Sequence, residues 1–203
     1  FSQGRLANLL MLLAPVWGAI NLWYANPDNH WDLAIFSLSL MPVRIDSLSL
    51  IFGFIIHIAA LISIIYALHI KDRMQQLATL IYSSAALGAV FAGDLVTLFV
   101  FWELMAMSSV FLIWARRTEQ SFTSGFRYFV YQFISGIFLL IGIIFYWHQN
   151  GNLHFEQMSL QDAGAIFIFI AFGIKCAFPM FHTWLTDAYP EATITGTVLL
   201  SAL

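Results

Sequence analysis

The sequence predicts an all-α polytopic membrane protein. Two compositional facts and one pattern predict it. Of the 203 residues 61% are hydrophobic and 9% charged, mean hydropathy is +0.82, and the apolar residues gather into long runs. Globular domains carry roughly 25% charged residues, so a water-covered surface cannot be built from this chain. A run of about 20 mainly apolar residues crosses the hydrocarbon of a bilayer, and six runs or near-runs of that order fill most of the length. Lipid offers the backbone no hydrogen-bond partners, so each run must satisfy itself internally. Runs this long without strict alternation are helices rather than barrel strands.

The expected spans are Leu6 to Tyr24, Leu48 to Leu68, Leu77 to Ala92, Leu95 to Trp114, Phe129 to Trp147, and Ala163 to about Pro179, with a seventh beginning near Thr197. The first exceeds a normal signal-peptide core, and no small-residue cleavage site follows it, so it reads as a mature span. A longer loop with Asn26-Pro27-Asp28 turn chemistry separates the first two. A basic corner, Lys71-Asp72-Arg73, precedes the third, and a tight turn at Gly93-Asp94 precedes the fourth, with Asp94 as its N-cap. A basic loop holding Arg116, Arg117 and Arg127 and a polar loop at Gln149-Asn150-Gly151-Asn152 complete the connections. Alternating the sides puts Arg5, Lys71, Arg73, Arg116, Arg117 and Arg127 on one face and Arg44 on the other, so the first face is expected to be cytoplasmic. Trp23, Trp31, Trp114 and Trp147 stand near run ends, as interfacial anchors do.

Two ionisable residues fall inside spans, Glu103 and Lys175. A charge at the bilayer centre costs roughly 2.5 to 3.5 kcal/mol on insertion scales, so such residues face the bundle interior and either pair or conduct. Burial disfavours the charged form of both groups and an opposing charge favours it, so a change in their separation can drive proton uptake and release. A static ion pair gluing two helices is the competing reading. Pro179 stands four residues after Lys175 and removes the hydrogen bond that would reach the Lys175 carbonyl, so the helix is expected to break there. Broken membrane helices are tolerated where they line a cavity or ion path. His182 follows the break and is a candidate for passing protons onward. His57, near mid-span, can relay protons or be a satisfied buried histidine. His30, His69, His148 and His154 are expected to be hydrated near the interfaces, and Asp187 and Glu191 to be solvated loop charges.

Several classes lack their signatures. The single cysteine, Cys176, excludes an internal disulfide and a cysteine-rich metal site. There is no His-Glu-x-x-His zinc motif, glycine-rich phosphate loop or Gly-x-Ser-x-Gly elbow. A haem bundle needs paired mid-span histidines, and only His57 has the depth. No cofactor, no metal, no nucleic acid and no active site of the chain's own are expected.

Two stretches resemble the antiporter-like subunits shared by respiratory complex I, membrane-bound hydrogenases and Mrp-type cation/proton antiporters. One is Phe91-Ala92-Gly93-Asp94-Leu95-Val96-Thr97-Leu98-Phe99-Val100-Phe101-Trp102-Glu103, similar to the family's segment ending in its key glutamate. The other runs from Gly173 through Lys175, Pro179, His182-Thr183-Trp184-Leu185 and Asp187-Ala188 to Tyr189. The resemblance implies a subunit of about fourteen helices built from two inverted repeats, each with a broken helix. Residues 1–203 would be one partial transmembrane domain, the N-terminal repeat, truncated at both ends. The family's glutamate and lysine lie on its fifth and seventh helices and here on the fourth and sixth spans, implying one N-terminal helix fewer. Thr186 stands where the family has proline, and Ala192-Thr193 where it has Ala-Pro. The stretch Pro190 to Thr197 leans toward paralogues outside core complex I.

The function expected from the resemblance is proton translocation through the Glu103–Lys175 pair, with His182 and His57 as relays and Pro179 marking the helix break, in an Mrp-type antiporter or related complex. Expected partners are other membrane subunits of a hetero-oligomer, the lipid bilayer, and protons, with Na+ a candidate counter-ion. A multi-pass location in a bacterial or archaeal cell membrane is expected, an organellar inner membrane being the alternative. Two other functional readings stay open: a membrane-arm subunit of NADH:quinone oxidoreductase or membrane-bound hydrogenase, and an inactive paralogue serving assembly alone.

Overall fold

A computed structural model describes residues 3–35, 38–70 and 72–202. Helices α1 (Gln3–Trp23), α2 (Ser47–Ala67), α3 (Arg73–Phe91), α4 (Leu95–Trp114) and α5 (Glu119–Asn150) run in chain order, followed by α6 (Ala163–Lys175), α7 (Thr183–Ala188) and α8 (Ile194–Ala202). Sequential neighbours pack on one another, most extensively α5 on α6 and α3 on α4, while α8 returns to touch α2, α3 and α4. Among the described residues α2, α4 and α5 are long and apolar enough to cross a membrane alone, and Asn8–Trp23 and α6 are shorter apolar helices. α3 is helical over the third expected span but less apolar, because its inward face carries the buried Gln75, Thr79 and Ser83. α5 has 32 residues and is about 48 Å long at 1.5 Å per residue, well beyond a hydrocarbon thickness of about 30 Å.

The connections depart from the sequence expectation in three places. The long loop after α1 contains an antiparallel hairpin, β1 (His30–Ile35) and β2 (Leu38–Arg44), paired from His30 opposite Arg44 to Ile35 opposite Leu38. Arg127 lies within α5 rather than in the preceding loop, because Thr118 and Ser121 form a reciprocal capping box that starts the helix at Glu119. Asp187 lies in α7 and pairs with Arg127 at 3.3 Å, while Glu191 pairs with Arg116 at 3.5 Å, so neither is a free loop charge. With the Arg117–Asp72 pair at 2.8 Å, these contacts gather the basic and acidic residues of three connections at one end of the bundle. The side chain of Arg5 and all of Lys71 lie outside the described residues.

Asp94 organises the opposite end. It is fully buried, and its carboxylate accepts from Thr97 N at 2.8 Å, Thr97 Oγ1 at 2.7 Å and Met41 N at 2.7 Å. Gly93 N donates to Met41 O and Leu95 N to Leu153 O, so the α3–α4 turn, the hairpin and the α5–α6 loop meet around Asp94. The N-cap role is as expected, and the hairpin anchor is an addition to it. Asp46 caps α2 through a box with Ser49, whose backbone N–H holds the Asp46 carboxyl below its ordinary range. Replacing Asp94 with Ala strands buried donors on α4 and β2. The expected loss is about 3 kcal/mol, read as a lower unfolding midpoint of the detergent-solubilised protein, with Asp46→Ala costing about 1 kcal/mol.

Candidate functional site

α6 stops at Lys175 by a specific device. Ala177 N donates to Ile174 O at 3.1 Å and Phe178 N to Gly173 O at 2.9 Å, the paired bonds of a Schellman cap. The left-handed residue such a cap requires is Ala177, at φ 53°, and Met180 beyond Pro179 is also left-handed at φ 79°. Two non-glycine residues in this region flank the proline, a concentration of backbone strain typical of functional segments. Trp184 from α7 donates its Nε1 to Ile174 O at 3.0 Å, and Ser135 from α5 donates to Ala171 O at 2.8 Å. The end of α6 is thus supplied with donors from both neighbours.

The break delivers the Lys175 ammonium to α4. Its Nζ donates to Trp102 O at 3.4 Å and stands 4.6 Å from the centroid of the Trp102 ring. Glu103, the next residue, is partly buried and turns its carboxylate toward α5, where Oε1 has no hydrogen-bond partner among the described residues. It can lie there because residue 136 is glycine: a Cβ at that position would collide with Glu103 Oε1. A similar close approach, Gly142 against Gly164, lets α5 and α6 pack backbone to backbone. Among the described residues no ion pair joins Glu103 to Lys175. The link between them runs through Trp102, whose carbonyl accepts from Lys175 and whose chain neighbour is Glu103. The static ion pair weighed in the sequence is therefore absent from this arrangement.

A cavity of about 400 Å³ opens beside Lys175, lined among others by Trp102, Gln132, Tyr128, Tyr82 and Trp184. His57 and His182 do not line it. His57 is buried in α2, its Nδ1 at 2.6 Å from Gly53 O and its ring over Gly18 of α1, in the α1–α2 cleft. His182 is exposed at the start of α7 and makes no capping bond with its side chain. His154, expected to be hydrated, has a buried Nδ1 and pairs its backbone with Asp94. Among the described residues no group of three metal-ligating side chains is assembled. Sequence reasoning missed Gln132, Trp102 and Gly136. Gln132 was the most legible of them, an amide inside the run Phe129 to Trp147.

The family model for the NADH:quinone oxidoreductase/Mrp antiporter transmembrane segment matches residues 92–203. That is more than half the chain, and it takes in both Glu103 and Lys175. The chain belongs to this family. Chloroplastic NAD(P)H-quinone oxidoreductase chain 4 of Dioscorea elephantipes is 28% identical over 186 residues, covering 87% of this chain and 36% of that protein. Hydrogenase-4 component B of Escherichia coli K12 is 28% identical over 187 residues, covering 83% of this chain and 27% of the relative. The chain thus spans about a third of the length of such relatives. Its fold matches a chain in the Mrp complex of Dietzia sp. DQ12-45-1b with a TM-score of 0.83 at 19% identity, over 98% of this chain and 41% of that one. The protein is an integral, multi-pass membrane protein of the antiporter-like class.

Two substitutions test the local geometry. Gly136→Ala is expected to push the Glu103 side chain from α5, visible as a changed rotamer in a density map, with a stability loss of about 1 to 3 kcal/mol. Ala177→Gly relieves the left-handed strain of the α6 cap and is expected to raise the unfolding free energy by about 1 kcal/mol.

Proposed function

We propose that this chain forms the proton-translocating part of an antiporter-like subunit in a multisubunit complex, of Mrp type or a close relative. Lys175 is the central protonatable group, and Glu103 is the charge that tunes it. The single observation carrying the reading is the position of Lys175. It ends a broken helix inside an apolar bundle, rests on the Trp102 carbonyl and ring, and has Glu103 of α4 as the neighbour of that residue rather than as a locked partner. An ammonium held this way can exchange its proton when the break flexes, whereas one locked in a bidentate ion pair would not. His182, exposed just past the break, receives the proton, and His57 is an assistant from α2. Other membrane subunits supply the energy, and Na+ is the candidate counter-ion.

The oxidoreductase and hydrogenase relatives favour a second reading, a membrane-arm subunit of a redox-driven complex. Co-purification separates the two: iron-sulfur subunits in the isolated complex support the redox reading, and their absence supports the antiporter.

The test uses the assembled complex in proteoliposomes with a pH-sensitive dye inside. Glu103→Gln is expected to lower the initial rate of proton movement by about tenfold or more, and Lys175→Ala to abolish it, with assembly unchanged on native gels. Wild-type rates in Lys175→Ala would instead identify an assembly-only subunit.

A further inference from the structure

We infer that the Gln132 amide and the Trp102 indole bind water in the cavity beside Lys175, and that Gln132 is thereby a positioning residue for the proton path. This rests on the translocation reading above and adds a residue to it. Gln132 is 1% exposed and Trp102 5%. Gln132 Oε1 and Trp102 Nε1 are both buried with no hydrogen-bond partner among the described residues. Both residues line the cavity that Lys175 also lines.

Buried polar atoms are nearly always satisfied, by protein or by ordered water. Three of the polar groups around the cavity are already paired. The Tyr128 hydroxyl is bonded to Ser109 Oγ at 2.8 Å, the Trp184 indole to Ile174 O at 3.0 Å, and the Tyr189 hydroxyl to Leu200 O at 2.8 Å. The open groups are complementary. Trp102 Nε1 only donates, Lys175 Nζ only donates when charged, and Gln132 Oε1 accepts. Water can accept from the first two and donate to the third, giving it the two to four polar partners a buried water needs, in a space many times its own volume of about 30 Å³.

The placement on α5 adds direction. Gln132 is one helical turn before Gly136, the residue against which Glu103 lies, so both occupy one face of α5. Ser135 ties the same turn to α6 through the Ala171 carbonyl. Gln132 therefore stands on a fixed turn between the Glu103 and Lys175 sides of the site. An amide does not titrate, so it orients water between the two charges and leaves the proton to water and Lys175.

The experiment pairs a density map of the assembled complex, at a resolution that shows ordered water, with transport in proteoliposomes. A water peak within about 3.2 Å of both Gln132 Oε1 and Trp102 Nε1 is expected. Gln132→Leu should lower proton movement about tenfold, as the loss of one hydrogen bond would, and Gln132→Asn, which keeps the amide, should recover most of it. A dry cavity in the map overturns the inference. So does wild-type transport in Gln132→Leu alongside a dead Lys175→Ala, which leaves the translocation reading standing. Wild-type transport in both variants overturns the two together. If Gln132→Leu does not assemble, the map of the unaltered complex decides.

Discussion

A helix that stops inside an apolar bundle leaves carbonyls that lipid cannot satisfy, and the rest of this structure is arranged around meeting that demand at the end of α6. The Schellman cap uses the freed carbonyls of Gly173 and Ile174, the Trp184 indole shares the one at Ile174, and Ser135 adds a donor to the Ala171 carbonyl one turn earlier. Each donor comes from a different element, so α5, α6 and α7 must hold a fixed mutual position for the break to exist. Lys175 inherits that position. Its ammonium is the last group of the interrupted helix and meets α4 at Trp102, which is itself buried and packed edge-on against Phe172.

The two ends of the bundle are held by different chemistry. At one end three Arg–carboxylate pairs join the connections, partly exposed and each worth about 1 kcal/mol or less. At the other a single buried carboxylate, Asp94, binds a helix start and a strand and sits beside the α5–α6 loop. The Asp94 end is the one from which α4 descends to Glu103. The ion-paired end holds α7, which begins just after the two left-handed residues around Pro179.

Hydropathy made the helices legible because a chain in lipid must satisfy its backbone internally, and apolar runs this long without alternation do so only as helices. Proline and the charges in the runs pointed to Glu103 and Lys175 for the same reason: each costs too much in hydrocarbon to stand there idly. The hairpin was overlooked because its strands are short, although Leu38-Ser39-Leu40 alternates. The start of α5 was set too late because a polar first turn, closed by Thr118 and Ser121, looks like loop when hydropathy is the guide. His57 illustrates the opposite limit. Depth made it a candidate, but where its ring sits is set by the carbonyl of Gly53 and the missing side chain at Gly18, which hydropathy does not carry.

The sequence by itself determined that the chain lives in a bilayer, where most of its helices run, which two of its charges fall inside the apolar runs, and that a helix is interrupted near Pro179, since all of these follow from the transfer cost of single residues and from a missing N–H. Only the tertiary structure decided that Glu103 and Lys175 face different neighbours, the one toward Gly136 and the other onto Trp102, and that Gln132 and Trp102 share a cavity with the lysine. Those are facts about which side chains meet across α4, α5 and α6. They depend on helix rotation and on the absence of one Cβ, quantities that no single position in the sequence carries.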